Sequence, residues 1–208
     1  MKNNLYIFVL ILTIFILGCN DNKESNKQPS KLIEEVKKIK KPQQPKPIKP
    51  KVYNFKFTNL ENQTEELEVK NNHYDFKNIK QPIVFVNFLA SWCPPCIGQI
   101  PHLNKLHQKY KSDLYILGIL KYDKDLKDED IDKFITSQKI NFFISKETDS
   151  SVKFSNFIAP KLQLKQNFSL PLMILFVKGK YYTHYEGSIP EEMIESDIKQ
   201  ALNKIKGQ

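Results

Sequence analysis

Residues 87–96 read Asn87-Phe88-Leu89-Ala90-Ser91-Trp92-Cys93-Pro94-Pro95-Cys96, and this stretch decides the fold. An apolar run ends here in small residues, a tryptophan and two cysteines that are separated by two residues. A helical pattern with proline in its first turn follows, so Cys93 is predicted at or next to a helix N-terminus. Unpaired backbone N–H groups and the helix dipole favour negative charge there. Because the thiolate is the reactive form of cysteine, the stretch predicts a dithiol/disulfide redox centre.

The two cysteines are predicted to have different roles in that centre. Cys93 comes first and should be the more exposed, so it is the candidate attacking thiolate, and Cys96 is the candidate resolving thiol. The alternative is half of a zinc site, which normally needs four ligands. No second pair of this spacing exists, and His102 and His107 are five residues apart, which places them on different faces of a helix. We therefore predict no metal and no other cofactor.

Length and charge limit the classes of protein that this chain can belong to. The 208 residues suffice for one domain with a full core and additional segments. Residues 1–50 carry ten lysines and four acidic residues, and residues 51–208 carry 22 lysines and 19 acidic residues, so two thirds of the net charge of +9 lies in the first 50. The chain has no arginine, the residue that reads bases and phosphates by paired hydrogen bonds. Nucleic acid is not an expected partner.

The N-terminus has the pattern of an export signal. A lysine near the start precedes an apolar run over residues 5–17, which is too short to span a bilayer comfortably and is typical of a signal peptide. The run ends in Ile16-Leu17-Gly18-Cys19, which resembles a bacterial lipobox. We therefore predict a signal peptide over residues 1–18 and lipid attachment at Cys19. The alternative is an uncleaved anchor with an incidental cysteine, and both interpretations place the rest of the chain outside the cytoplasm.

The segment between this signal and the folded domain is predicted to be a tether. Residues 19–50 are polar and rich in lysine and proline, a composition that favours an extended, semi-rigid chain. Residues 31–41 have apolar side chains at helical spacing, which fits either a transient helix in a linker or contact with a membrane surface. If Cys19 carries lipid, Cys93 and Cys96 are the remaining cysteines of the mature chain.

Residues 51–208 alternate between strand and helix patterns. Such alternation implies parallel β-α-β crossovers, and the final strands, joined by a glycine turn, read as an antiparallel pair. An acidic run over residues 123–132 reads as the solvated start of a helix, and Met193 is placed on the inner face of the last helix. Strands are predicted at residues 52–58, 65–69, 83–89, 114–120, 141–145, 172–177 and 181–186, and helices at residues 94–111, 126–138, 151–158 and 190–206.

This order of elements resembles that of thioredoxin-fold proteins, and more narrowly of the TlpA/ResA-like group of membrane-tethered thiol-disulfide proteins. The residues that carry the resemblance are 86–96, Pro101 in the following helix, and Leu170-Pro171 before a late strand. The resemblance covers about residues 51–206. The resemblance implies an α/β thioredoxin fold, in which helices flank a central mixed β-sheet and a β-hairpin is added at the N-terminus.

The resemblance also implies which residues support the two cysteines. Pro171 corresponds to a proline that is cis in this fold and lies beside the active disulfide. Trp92 corresponds to a tryptophan that serves as lid and substrate platform. Pro94 and Pro95 differ from the Gly-Pro of thioredoxin itself, and the residues at these positions tune the reduction potential.

Two positions depart from the family pattern. Gln99 occupies a place where ResA-like proteins typically carry a glutamate near the dithiol, and Asn87 occupies the place of a buried acid in thioredoxin. A neutral amide cannot relay a proton as a carboxylate can. The resemblance is therefore not expected to extend to the pH-tuned behaviour or the narrow substrate choice of ResA-like proteins.

The resemblance implies a function and its partners. We expect an extracytoplasmic thiol-disulfide oxidoreductase, lipid-anchored to a bacterial membrane, that acts as a reductase on apocytochrome c or other exported protein disulfides. A membrane thiol protein would supply its electrons. One alternative is a disulfide-forming or isomerising enzyme, and another is a non-redox adaptor that uses the fold to bind a partner.

Overall fold

The computed structural model of this chain describes residues 50–207. The predicted signal peptide over residues 1–18, the lipidation site Cys19 and nearly all of the predicted tether over residues 19–50 lie outside this range. Among the described residues, none of the helices combines the length and the apolar character needed to cross a bilayer.

A five-stranded mixed sheet forms the centre of the described domain, with strand order β6-β5-β4-β7-β8. The middle strand β4 is buried at every residue, which explains its unbroken apolar sequence. It pairs in parallel with β5 and antiparallel with β7. The strands are β4 (Ile83–Leu89), β5 (Leu114–Leu120), β6 (Phe143–Ser145), β7 (Leu172–Val177) and β8 (Lys180–Glu186).

Four helices flank this sheet. One core cluster packs α1, α2 and α4 against one face, and a second cluster packs α3 and a short 3₁₀ helix against the other. The helices are α1 (Pro94–Lys109), α2 (Asp128–Ser137), α3 (Asp149–Ile158) and α4 (Glu191–Lys206), and the 3₁₀ helix is Ala159–Leu162. The predicted α/β fold class, with helices on a central mixed sheet, is confirmed.

The N-terminal extension is a three-stranded antiparallel sheet that covers the α3 face. It contains β1 (Val52–Thr58), β2 (Thr64–Lys70) and β3 (His73–Phe76). The sequence predicted the β1–β2 hairpin and missed β3. Main-chain hydrogen bonds join this sheet to both edges of the central one: the Tyr74 N–H donates to the Gly179 carbonyl (2.7 Å) and the Lys146 N–H donates to the Thr58 carbonyl (2.9 Å).

The β7–β8 connection is the predicted tight glycine turn. Its two residues, Lys178 and Gly179, have φ values of 47° and 71°, as a hairpin turn of this length requires. A Cβ on Gly179 would lie 2.7 Å from the Tyr74 carbonyl oxygen, so only glycine fits against β3. One helix-face prediction is wrong: Met193 is 54% exposed, because it lies off the buried face of α4, which is formed by Glu191, Ile194, Ile198 and Ala201.

Candidate active site

The two cysteines lie where β4 ends and α1 begins, at what we call the dithiol end of the domain. Cys93 is the N-cap of α1, and its Sγ accepts a hydrogen bond from the Cys96 N–H (3.3 Å). Pro94 and Pro95 fill the first helical positions, where a backbone N–H would lack an acceptor within the helix. Cys93 and Cys96 form a disulfide and are both buried, Cys93 slightly less so. The predicted helix-terminal position of Cys93 is confirmed.

Trp92 projects from the surface beside this disulfide. Its side chain is 62% exposed, and its indole N–H donates to the carbonyl oxygen of Tyr122 (3.4 Å). Tyr122 follows β5 and is also exposed. Trp92, next to Cys93 in the chain, is therefore held against the loop that follows β5.

Asp123 is one of two residues of this site that the sequence analysis missed. Its carboxylate accepts hydrogen bonds from the Ser91 N–H (2.8 Å) and the Ser91 hydroxyl (3.1 Å), and its own N–H donates to Glu147 (2.5 Å). Asp123 is only 5% exposed, and burial raises the pKa of its carboxyl while the bonds from Ser91 oppose that rise. The prediction of a solvated acidic run is wrong at this residue, since helix α2 begins only at Asp128.

Lys121 is buried two residues before Asp123. Its ammonium donates to the Ser155 hydroxyl (3.1 Å) and lies over the rings of Tyr122 (4.5 Å) and Phe168 (4.9 Å). Burial lowers the pKa of Lys121, and the Glu147 carboxylate opposes that change. The sequence did contain a signal for this part of the site: Lys121 and Asp123 directly follow the buried strand β5. The carboxyl ends of neighbouring parallel strands lie close together, so side chains that follow β5 are expected near those that follow β4.

Pro171 lies at the same end of the sheet. The Leu170–Pro171 peptide bond is cis, as the resemblance implies. The next residue, Leu172, pairs with Phe88 of β4, so Pro171 stands beside the strand end that leads to Cys93. The Pro171 carbonyl oxygen accepts from the Gly187 N–H (2.8 Å).

The two neutral amides that depart from the family pattern are fully buried. Gln99 Oε1 accepts from the Ile189 N–H (2.9 Å) and the Ser188 hydroxyl (3.1 Å), which ties α1 to the segment before α4. Its Nε2 has no partner, and both polar side-chain atoms of Asn87 also lack one. Strand alternation places Asn87 on the same face of β4 as Phe85 and Leu89, within the core cluster that contains Cys96.

The histidines in and near α1 make local contacts. His102 Nδ1 lies 3.1 Å from the Glu191 carboxylate, and His107 Nδ1 lies 3.3 Å from the Asn141 side-chain oxygen. Within residues 50–207, no three or more His, Cys, Asp or Glu side chains are grouped so that they could hold a metal ion.

Comparison with known sequences identifies the family. The model of the AhpC/TSA family matches residues 50–166. The thiol-disulfide oxidoreductase ResA of Bacillus thuringiensis subsp. konkukian is 27% identical over 148 residues, which cover 71% of this chain and 74% of that protein. The protein of the same name from Geobacillus thermodenitrificans is 30% identical over 125 residues, covering 59% of this chain and 63% of that one.

Solved structures share the fold. A putative thiol:disulfide interchange protein DsbE from Chlorobium tepidum superposes with a TM-score of 0.52 at 22% identity, covering 72% of this chain and 94% of that one. The exposed lipoprotein thioredoxin of Streptococcus pneumoniae gives 0.53 at 15% identity, covering 71% and 99%. The chain therefore belongs to the AhpC/TSA family of thioredoxin-fold proteins and is a thiol-disulfide oxidoreductase of the ResA type.

Proposed function

We propose that Cys93 and Cys96 are the redox pair of a membrane-tethered, extracytoplasmic reductase that acts on disulfides of exported proteins, apocytochrome c among them. The observation that carries this proposal is the Cys93–Cys96 disulfide at the N-terminus of α1. A helix N-terminus stabilises a thiolate, and Cys93 as N-cap is the residue that benefits from it.

The exchange takes place in two steps. The Cys93 thiolate attacks one sulfur of the substrate disulfide, forms a mixed disulfide and releases the other substrate sulfur as a thiolate. Cys96 then loses its proton and attacks the Cys93 sulfur, so the second substrate sulfur leaves and the Cys93–Cys96 disulfide forms. Two electrons pass to the substrate, whose thiolates take up two protons. A membrane thiol protein would reduce the enzyme again by the same chemistry in reverse.

The surroundings of Cys93 support the reductive direction over a disulfide-forming role. The Asp123 carboxylate is bonded to Ser91, two residues before Cys93. A nearby negative charge disfavours the thiolate and therefore the reduced form of the pair. A dithiol whose reduced form is disfavoured gives up electrons more readily, as a reductase requires.

The proposed location depends on residues 1–19. Their charged start, apolar run and terminal Ile16-Leu17-Gly18-Cys19 support export and lipid attachment at Cys19. A Cys19→Ala variant tests this: we expect a precursor that keeps its signal peptide and is no longer labelled by radioactive fatty acid. Unchanged size and unchanged labelling would contradict the lipid anchor and leave the redox proposal intact.

A trapping experiment in cells tests the redox pair and identifies the substrate. In a Cys96→Ser variant the mixed disulfide on Cys93 cannot be resolved, so a reducible adduct should accumulate and its partner can be identified. The Cys93→Ser variant is the matched control and should form no adduct. Equal adducts in both variants would contradict the assignment of Cys93 as the nucleophile. An equilibrium potential as high as the strong oxidants, about −120 mV, would favour the disulfide-forming role instead.

A further inference from the structure

A second charged surface lies at the end of the domain opposite the dithiol. We call it the basic end and define it by eight exposed lysines. It includes the start of β4, the turn between β7 and β8, and the C-terminus of α4, so the length of β4 separates it from Cys93. Seven residues of strand span about 23 Å. The lysines are Lys51, Lys70, Lys80, Lys111, Lys178, Lys180, Lys204 and Lys206.

Hydrogen bonds between loops bring these lysines to the same end. The Lys178 N–H donates to the Pro82 carbonyl, and the side-chain amide of Gln81 donates to the Lys111 carbonyl. The β2–β3 turn, which follows Lys70, reaches the β7–β8 turn through the bond between Tyr74 and Gly179. The loops that contain the lysines are therefore neighbours in space, although they are distant in sequence.

The basic end differs in charge from the rest of the domain. Among the described residues, its turns contain one acidic residue, Asp113. Residues 51–208 carry 22 lysines and 19 acidic residues. The part outside the basic end is left with 14 lysines and 18 acidic residues, so it is net negative. None of the eight lysines forms a salt bridge with another described residue, whereas lysines elsewhere, such as Lys56, Lys105 and Lys109, do. The positive charge of this end is therefore not neutralised within the domain.

The chain enters the folded domain at this same end. Val52 begins β1 opposite Lys70 of β2, and β1 then runs toward the dithiol end, where the Thr58 carbonyl accepts from Lys146. Any tether that precedes residue 50 therefore joins the domain beside the eight lysines. Two tyrosines lie next to them: Tyr181 is 44% exposed, and the Tyr182 ring lies under the Lys204 ammonium (4.9 Å). Tyrosine and lysine together are typical of protein surfaces at the membrane–water interface.

We propose that the basic end binds the anionic phospholipid surface of the membrane to which the chain is tethered. This inference rests on the proposed membrane tether. The lysines attract anionic headgroups. Because the chain enters the domain at the same end, the basic end already faces the membrane to which the tether leads. In the docked state, the dithiol and Trp92 point away from the bilayer, toward substrates that extend from the surface. Exchange with a partner embedded in the membrane then requires the domain to undock.

The single tryptophan of the chain provides the measurement. The full lipoprotein is reconstituted in vesicles of phosphatidylcholine, with or without phosphatidylglycerol, that contain a dansyl-headgroup lipid. Energy transfer from Trp92 to the dansyl group should be lower in the vesicles with phosphatidylglycerol, because docking holds Trp92 far from the headgroups. Salt at about 0.5 M should abolish the difference, since it screens exposed charges beyond a few ångströms.

Matched variants separate the basic end from the lysines of the tether. Replacing Lys70, Lys178, Lys180 and Lys204 with glutamine should weaken docking at least about 100-fold and remove the effect of phosphatidylglycerol. The control replaces four exposed lysines elsewhere on the domain and should leave the effect unchanged; they are Lys124, Lys127, Lys153 and Lys165. Equal energy transfer in the two kinds of vesicle, or equal loss in the two variants, would overturn the proposal.

Flotation distinguishes this outcome from failure of the tether. A protein that lacks the lipid anchor does not float with vesicles of phosphatidylcholine alone, whatever the basic end does. If the anchored protein floats but the wild-type chain shows no effect of phosphatidylglycerol, the docking surface is wrong and the tether stands. Binding of an acidic protein in preference to the vesicles, with the same lysine dependence, would likewise overturn the lipid assignment.

Discussion

The carboxylate of Asp123 holds Ser91 by two hydrogen bonds, one from the backbone N–H (2.8 Å) and one from the hydroxyl (3.1 Å). The two residues are 32 positions apart in the chain, and Ser91 begins the short turn that leads into Cys93. The Cys93 N–H donates to the Ala90 carbonyl within that turn (3.2 Å). Asp123 therefore both positions the turn and places a carboxyl group near the dithiol.

The Asp123→Asn variant should have a higher reduction potential than the wild type. Asparagine still offers an oxygen to the Ser91 N–H, but it removes a negative charge that contacts Ser91, two residues before Cys93. A charge roughly 10 Å from a thiolate, at an effective dielectric constant of about 20, disfavours that thiolate by roughly 1–2 kcal/mol. We expect a rise of about 20–40 mV at neutral to alkaline pH, measured by equilibration with glutathione. Because burial raises the pKa of Asp123, the wild-type carboxylate takes up its proton as the pH falls, and the difference between the two proteins should narrow.

Ser91→Ala is the control for this charge effect. It removes the hydroxyl contact, keeps the backbone contact and leaves the Asp123 charge in place. A potential that moves as far in Ser91→Ala as in Asp123→Asn would show that the geometry of the turn, and not the charge, sets the value.

Gln99 should be more important for stability than its neutral side chain suggests. Gln99→Leu leaves the Ile189 N–H without its acceptor, which should lower the free energy of unfolding by about 1–3 kcal/mol in urea titrations. Gln99→Glu keeps an acceptor oxygen but adds a buried acid, so that variant should lose stability as the pH rises. Equal unfolding free energies for the wild type and Gln99→Leu would contradict the structural role.

Asn87 should be a site where the protein can gain stability. Both polar atoms of its buried side chain lack a partner, and such groups cost about 1–3 kcal/mol each. Asn87→Val, which suits a central strand, should therefore raise the free energy of unfolding. Asn87→Asp is the contrasting variant, because it places an acid at the same buried position. Burial raises the pKa of that acid above its unfolded value of about 3.9, so the variant should become less stable as the pH rises above that value. A less stable Asn87→Val variant would refute the assignment.

Glu195 should give the protein an acid-sensitive link between α1 and α4. Its carboxylate accepts from Lys109 (2.6 Å), Tyr110 (2.7 Å) and Lys199 (3.0 Å), and these bonds lower its pKa from 4.5 to about 2. A lowered pKa means that the stabilisation is complete above pH 4.5 and is lost as the pH falls toward 2. Glu195→Gln should lower the Tm at neutral pH and flatten its pH dependence between these values.

The exposed residue Glu192 on the same helix provides the comparison, because it forms no salt bridge with the residues that the structure describes. Its replacement by glutamine should leave the acid limb of the Tm curve as in the wild type. An acid limb that is unchanged in Glu195→Gln would contradict the proposed link.

The sequence was sufficient to predict the bounds of those strands in which burial alone dictates the residue type. The strands at residues 83–89, 114–120 and 172–177 have the bounds predicted from their continuous apolar runs. The small strand β3 was missed because it has only four residues, although a turn of two asparagines precedes it. Asn71 and Asn72 adopt φ values of 52° and 59°, which favour a tight hairpin turn. That turn, followed by the alternating His73-Tyr74-Asp75-Phe76, was the signal for a third strand.

The residues of the active site also fall into two groups, those that the sequence predicted and those that it did not. The helix-capping position of Cys93 follows from residues that are adjacent in sequence, so the pattern predicted it. Asp123 belongs to the site only because β4 and β5 are parallel neighbours whose ends meet at one edge. In the sequence it stands at the head of an acidic run, which favoured the simpler interpretation of a solvated helix start. The polar residues after β5 were visible in the sequence, but their contact with Ser91 follows only from the parallel pairing of β4 and β5.

The N-terminal sheet has a consequence for the order in which this protein can fold during synthesis. Strands β1–β3 are made first, yet the bond from Tyr74 goes to Gly179 and the bond to Thr58 comes from Lys146. Their apolar faces therefore have no partner until about 100 later residues have been added. Long-range pairing of this kind slows folding and leaves strand edges open in the meantime. The early strands of this chain are the part that a chaperone would need to protect.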